Sequence, residues 1–290
     1  MITVKVPATS ANCSVGFDTL GLALNWYSSI TFEKSDELLI SGCPREYATA
    51  DNLVWTSFVF ACHKCGKPVP NVHIDIQSDI PFARGLGSSS QCVVAGILGA
   101  NAIAELEMDH DQLLACAVEI EGHPDNVAPA LNGALSVTVE GTRSLIGVNL
   151  GANGWKALVV IPPYEVSTPM ARKALPEEIP LHNAAMQAGR AMLFEYAWTH
   201  KDETLLFEAC HDLLHEPSRS KLIAHYPAMQ EIAARNSVPF WISGSGSTML
   251  FVSQNKDTLQ ALKEEIKNAH PELDVRLSEV SEHGAEVIHG

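Results

Sequence analysis

Between the alternating segment His73-Ile74-Asp75-Ile76 and a long apolar tract lies Pro81-Phe82-Ala83-Arg84-Gly85-Leu86-Gly87-Ser88-Ser89-Ser90-Gln91. A loop of this composition is suited to holding an anion. Gly85 and Gly87 let the backbone come close to phosphate oxygens, and N–H groups at the start of a following helix converge there with the helix dipole. The serines suit a helix N-cap, and one hydroxyl suits a Mg²⁺ carried by a nucleotide. For a bare Gly-x-Gly, a tight turn without any ligand is the better account. Two other phosphate loops are excluded: a Walker A loop ends in Gly-Lys-Ser/Thr, and a dinucleotide fingerprint needs a glycine where Ser90 stands.

Three further segments carry polar groups of the kind that do chemistry: Glu121-Gly122-His123-Pro124-Asp125-Asn126-Val127-Ala128-Pro129-Ala130, Val166-Ser167-Thr168-Pro169-Met170-Ala171-Arg172 and Glu216-Pro217-Ser218-Arg219. Two arginines in separate segments suit a carboxylate, which accepts the two parallel hydrogen bonds of a guanidinium fork. Other groupings are decoys. His211 and His215 have metal-ligand spacing, but Asp212 stands where a zinc hydrolase carries Glu, and the segment reads as a solvated helix face. Cys62 and Cys65 form a lone Cys-x-x-Cys with no second pair.

The loop's Pro-x-x-x-Gly-Leu-Gly-Ser-Ser-Ser pattern resembles the phosphate loop of the GHMP kinases. Val6-Pro7-Ala8-Thr9-Ser10-Ala11-Asn12 and Gly16-Phe17-Asp18-Thr19-Leu20-Gly21 resemble that superfamily's first motif, and Ser243-Gly244-Ser245-Gly246-Ser247-Thr248 resembles its third. The motifs occur in family order over almost the whole chain. Within the superfamily, His123–Ala130, Ser167–Arg172 and Glu216–Arg219 resemble segments of the homoserine kinases. The sequence departs from the pattern at Ser247, where proline is common, and at Ser90 and Gln91, where alanines are usual. Gln91 is the larger change, because it puts a long carboxamide at the start of an apolar helix.

The resemblance implies ATP and Mg²⁺ as cofactors and L-homoserine as substrate, phosphorylated on its side-chain hydroxyl on the way to threonine. It places the triphosphate on residues 81–91 and the adenine near Asn52, although a helix N-cap explains Asn52 equally well. Mg²⁺ falls to Ser89 and a glutamate ahead of His123; Glu119 and Glu121 both qualify, and Glu121 is preferred. Arg172 and Arg219 are assigned to the substrate carboxylate, Asp18 to its ammonium group, and Asn12 and Asn126 to its hydroxyl. His123, Asp125 and Thr168 complete the substrate set. Some relatives have an aspartate base where Asn126 stands, and a carboxamide takes no proton at neutral pH. The expected mechanism is therefore direct attack on the γ-phosphate, with Asp18 the only first-motif carboxylate competing for the base role. The alternatives are a GHMP kinase for threonine or a mevalonate-type alcohol, and a nucleotide-binding regulator without catalysis.

The elements that must position these groups follow from hydrophobic period. Thr3–Val6, Ser29–Lys34, Leu38–Ser41 and His73–Ile76 read as strands, and Asn52–Cys65 and Ser88–Leu106 as helices, the second apolar all round and therefore buried. A helix over Leu113–Glu121, a loop and a strand over Gly133–Glu140 follow. The Gly-rich stretch from Gly147 to Gly154 marks a boundary, giving domains 1–152 and 153–290. Beyond it, helices are expected over Thr168–Leu175, His182–His200, Thr204–Leu214, Lys221–Arg235 and Asp257–Asn268. Strands are expected over Trp155–Ile161, Phe240–Ser243, Met249–Val252 and Leu273–Leu277, the last closing the fold. Elements do not alternate strictly, so the class is α+β. The resemblance refines this to the two-domain GHMP kinase fold, a ribosomal protein S5 domain 2-like unit followed by a ferredoxin-like α/β sandwich.

Composition limits the partners. The 290 residues carry 19 Lys+Arg against 34 Asp+Glu, a net charge of −15, which opposes sequence-independent nucleic-acid binding. Seven cysteines without framework spacing suit a reducing compartment. Residues 1–7 lack the basic and apolar regions of a secretory signal, and the apolar tract Cys92–Ala104 is too short for a membrane span. The expectation is a cytoplasmic protein with a small-molecule substrate, no nucleic-acid or membrane partner, and a homodimeric assembly.

Overall fold

The computed structural model describes residues 1–290. Its first strand, β1 (Ile2–Ala11), alternates between buried and open positions only as far as Val6; beyond that, both faces are covered. Ile2, Val4 and Val6 face one core, while Ala8 belongs to a second core that also holds Trp155, Trp198 and Trp241. The strand thus passes from one half of the molecule into the interface with the other. Its partner β2 (Leu20–Lys34) begins nine residues before the expected Ser29, and the register between them shifts at Pro7/Ala8. Gly21, Asn25 and Trp26 hide the alternation of β2 from a pattern search.

The first half continues with β3 (Leu39–Ser41), α1 (Leu53–Lys64), β4 (Val72–Gln77), α2 (Ser88–Ile103), α3 (His110–Glu121), α4 (Pro124–Asn132), β5 (Leu135–Glu140) and β6 (Leu145–Asn149). α2 is buried on nearly every side, as its composition requires, and lies against α1 and β1. α4 and β6 were not expected. Pro124 stands in the first turn of α4, where the missing N–H is harmless, whereas Pro129 lies inside the helix and removes one intrahelical hydrogen bond.

The second half holds β7 (Lys156–Ile161), α5 (Thr168–Lys173), α6 (Leu181–His200), α7 (Glu203–Ala209), α8 (Glu216–Arg219), α9 (Tyr226–Asn236), β8 (Phe240–Ile242), β9 (Met249–Ser253), α10 (Lys256–Ala269) and β10 (Asp274–Glu279). The strands form an antiparallel sheet ordered β10-β7-β9-β8, with α9 and α10 packed over a core of Leu158, Met229, Phe251 and Leu262. α7 stops five residues short of the expected Leu214, and α9 starts only at Tyr226. β10 does not close the fold: β11 (Glu286–His289) returns to the first sheet and pairs antiparallel with β1. That sheet runs β11-β1-β2-β4-β3, with β5 beside β2 and β6 beside β5, and only β3/β4 are parallel. Two largely antiparallel sheets with helices on them make the protein α+β. No helix is long and apolar enough to cross a membrane.

Candidate active site

The phosphate-loop candidate sits between β1 and the turn after β8, and its glycines are what allow it to fit. Gly87 caps α2 with φ +67°, and a Cβ there would lie 1.9 Å from Thr9 Oγ1 and 3.0 Å from Asn126 Oδ1. Gly85, at φ +78°, would place a Cβ 2.2 Å from the Ser243 carbonyl oxygen. Backbone contacts bind the three motifs into one body. Thr9 N–H donates to Leu86 O (3.1 Å), Thr248 N–H to Arg84 O (3.0 Å) and Gly244 N–H to Ala11 O (3.1 Å).

Gln91 is accommodated by bonding rather than by space. Ser28 Oγ donates to its Oε1 (2.7 Å), and its Nε2 donates to Leu86 O (3.3 Å). The carboxamide therefore ties the loop to β2 from below. Ser90 and Leu86 also point inward. Arg84 turns away to Glu165 (2.9 Å) and Pro163 O, and Pro81 is not in the lining of the cavity that the loop glycines face. Ala83, Gly85, Gly87, Ser88 and Ser89 face an open cavity of about 290 Å³.

Ser89 Oγ donates to Glu121 Oε2 at 3.0 Å, whereas Glu119 is ion-paired with Lys64 on another face. Of the two glutamates, only Glu121 reaches the cavity. His123 Nδ1 and the buried Asp125 Oδ1 are 2.6 Å apart; this hydrogen bond raises the imidazole pKa, against the opposing effect of burial. Asn126 Oδ1 accepts from Thr9 Oγ1 at 2.7 Å, which leaves its NH₂ as the free end. Thr9, within the Val6–Asn12 segment, thereby orients the Asn126 carboxamide, a role that its sequence position alone does not reveal.

At the other end of the cavity, Arg172 forks onto Asp18 with Nη–Oδ distances of 3.0 and 2.9 Å, and this partner raises its pKa. Arg219 is buried, donates to Gly244 O (3.0 Å) and leaves Nε without a partner. Burial first, and then the charge of Arg172, lower its pKa. Phe17 lies 5.9 Å from the Arg172 guanidinium and 5.1 Å from that of Arg219, within reach of a cation–π contact. Thr168 Oγ1 meets Ser245 Oγ at 3.3 Å. Asn12 lines the cavity: its Nδ2 donates to Gly244 O and its Oδ1 accepts from Asp18 N–H, which leaves one N–H and one oxygen lone pair.

The stretch from His211 to His215 is not a solvated helix face. Asp212 and His215 are buried. Asp212 Oδ2 accepts the N–H groups of Leu214, His215 and Glu216, and Oδ1 accepts from Gln187. His215 Nε2 is 2.8 Å from Ser14 O. This corner fixes α8 and, through it, Arg219. Glu216 is sealed beneath, accepting from Ile242 N–H at 2.8 Å, and burial pushes its carboxyl up to about 8.

A second, mostly apolar cavity of about 220 Å³ shares Ser88 and Ser89 with the first and is lined by Cys43, Tyr47, Leu53, Ile76, Phe82 and Cys92. Asn52 lies at its wall, but its carboxamide is committed to capping. Oδ1 accepts from Val54 N–H (2.9 Å) and Nδ2 donates to Tyr47 O (2.8 Å). The flat apolar walls, rather than the Asn52 carboxamide, are the part of this slot suited to a planar ring.

A glycine-built anion cradle, a hydroxyl–carboxylate pair and two arginines thus face one cavity. Residues 52–134 match the model for the GHMP kinases N terminal domain. A homoserine kinase of Clostridium beijerinckii is 38% identical over 100% of this chain and 99% of its own length. The chain belongs to the homoserine kinase family of GHMP kinases. A crystal structure of homoserine kinase from Cytophaga hutchinsonii covers 99% of this family member and 97% of that chain, at TM-score 0.88 and 30% identity. A mevalonate kinase structure shares the fold alone, with TM-score 0.72 at 13% identity over 96% of this chain and 99% of that one. The two-sheet α+β architecture is therefore the GHMP kinase fold.

Proposed function

We propose that this chain transfers the γ-phosphoryl group of ATP to the side-chain hydroxyl of L-homoserine, giving O-phospho-L-homoserine and ADP in the cytoplasm. One observation carries the reading: a single cavity of about 290 Å³ is lined both by Gly85, Gly87 and Ser89 and by Arg172 and Arg219. An anion cradle and a carboxylate clamp facing one space suit an amino acid whose side chain reaches toward a triphosphate.

The residues fit ATP and Mg²⁺. The loop packs against Ser243 and Thr9 only because positions 85 and 87 lack a Cβ, and the first-turn N–H groups of α2 have no intrahelical partner and are suited to phosphate oxygens. Ser89 and Glu121 supply a hydroxyl and a carboxylate, the oxygen ligands Mg²⁺ prefers. Bound there, Mg²⁺ neutralises charge on the phosphates. In this reading the base occupies the apolar slot beside Tyr47 and Phe82.

Arg172 and Arg219 hold the substrate carboxylate, and Asp18 holds the ammonium group. The Asp18–Arg172 fork then opens, with Asp18 passing to the ammonium and Arg172 to the carboxylate. Asn126, its oxygen anchored by Thr9, aims NH₂ at the reacting hydroxyl, while His123 and Asp125 brace that wall. The hydroxyl oxygen forms its bond to the γ-phosphorus as the bond to the β-phosphate oxygen breaks and ADP leaves, and the hydroxyl proton passes to an oxygen of the transferred phosphoryl group and on to water. No side-chain base is required, because phosphoryl transfer depends mostly on positioning and charge neutralisation. Residues 1–152 supply the nucleotide end and 153–290 complete the amino-acid end.

A coupled ADP-release assay over L-homoserine, L-serine, L-threonine and mevalonate tests this. L-homoserine is expected to give the highest kcat/KM, and release with another alcohol but not with homoserine would overturn the reading. A homodimer is part of the proposal; Met192, Leu193 and Tyr196 leave apolar surface exposed on α6, and two-fold assemblies are common. Light scattering that returned 31.3 kDa at micromolar concentration would contradict it.

A further inference from the structure

Away from the cavity, His225 stands just before α9, His270 just after α10, and Glu272 in the turn leading to β10. We propose that these three residues form a Zn²⁺ site joining α9 to α10. His225 Nε2 is 2.8 Å from Glu272 Oε1, His270 Nδ1 is 3.6 Å from the same oxygen, and one ligand atom from each residue lies within 4.8 Å of the others. Tetrahedral zinc with bonds of about 2.0–2.1 Å holds its ligand atoms about 3.3 Å apart. The two measured carboxylate distances bracket that value. The third closes by rotation of the partly exposed His270 and Glu272 side chains, and the backbone need not move.

The surroundings fit as well. His225 Nδ1 lies 3.0 Å from Tyr164 Oη, with the two rings stacked. With Nδ1–H donating to that phenol oxygen, Nε2 presents its lone pair to the metal, the arrangement that outer partners impose on ligating histidines. The His270 ring meets His225 edge-on, at 86°. His270 is fixed by its own N–H to Ile266 O and by Leu273 N–H to its carbonyl. Two imidazoles and one carboxylate select zinc over magnesium or calcium, which take oxygen ligands. Tyr164 O also accepts from Ser247 Oγ (2.5 Å), and the next residue, Glu165, pairs with Arg84 of the phosphate loop. A metal there therefore braces the segment that backs the loop.

The test is calorimetric titration of chelator-treated full-length protein with Zn²⁺ in excess Mg²⁺, together with thermal melts. One ion per chain and a raised Tm are expected. His270→Ala and Glu272→Gln should each weaken binding at least tenfold, since even outer-sphere losses weaken metal sites about 10–100-fold, and should abolish the rise in Tm. Equal zinc affinity in the wild type and both variants would place the ion on thiols or other carboxylates, and would overturn the proposal. Absence of saturable binding to the wild type would do the same.

Discussion

The two ends of the cavity are built differently. The phosphate end is mainly backbone: Gly85 and Gly87 leave no room for a Cβ, and the loop is tied by main-chain bonds to β1 and to the turn after β8. The amino-acid end is side chain: Arg172 forks onto Asp18, Arg219 donates to the Gly244 carbonyl, and His123 bonds Asp125. A backbone cradle takes phosphate whatever molecule carries it. A side-chain clamp chooses among acceptors, because an arginine fork is matched only by a planar anion. Substitutions at the two ends should therefore fail in different ways.

The largest effect is expected at the cradle. Gly87→Val adds a β-branched side chain where φ is +67° and the Cβ meets Thr9. ATP affinity should fall about a hundredfold or more in calorimetry, while the far-UV spectrum stays close to the parent's; unchanged ATP binding would remove this loop from the site. Next is Asn126→Ala, at the junction of the two ends. Loss of one transition-state donor costs about 10²–10³ in kcat, with a smaller change in the KM for either substrate. A fall confined to KM would place Asn126 in ground-state binding.

Arg172→Lys keeps the charge but loses the fork. A loss of about 1.5–3 kcal/mol, the range for hydrogen bonds to charged groups, is roughly tenfold to a hundredfold in kcat/KM. It should appear mainly in the KM for the amino acid, because the contact is made in both ground and transition states. A KM for ATP that rises instead would break the division between the ends.

The smallest effect is expected beneath the clamp, at Glu216. Its folded pKa of about 8 lies above the ordinary 4.5, so between these values the folded chain holds a proton that the unfolded chain has lost. Its contribution to stability therefore declines as pH rises through that window, and the penalty is complete above about 8. Glu216→Gln removes the titration. The variant should gain steadily on the wild type as pH rises from about 5 to about 8.5 in denaturant melts. A gap that does not change with pH would show that the carboxyl is not held neutral.

The same contrast explains what could be read from the sequence. The loop was legible because Gly85, Gly87 and the serines are contiguous, and their backbone demands are local. The buried helix α2 was legible because its apolar run exceeds any surface stripe. The Asp212–His215 corner was not, because its burial depends on Ser14 and Gln187, distant in the chain. Thr9 gained a role only where α4 brings Asn126 beside β1. α4 itself was obscured by Pro124 and Pro129, and β11 by the length of chain that separates it from β1. Asn52 remained ambiguous in sequence because capping and base recognition use the same carboxamide.

In the proposed reaction one cavity holds a carboxylate at its arginines while presenting a hydroxyl to the phosphate loop. ADP release from L-homoserine and from 3-aminopropan-1-ol, which lacks only the carboxylate, tests this directly when the wild type and Arg172→Lys are measured side by side. The wild type should favour homoserine in kcat/KM by at least tenfold, and Arg172→Lys should narrow that preference by lowering activity on homoserine alone. Equal loss on both compounds, or a wild type indifferent to the carboxylate, would contradict the claim.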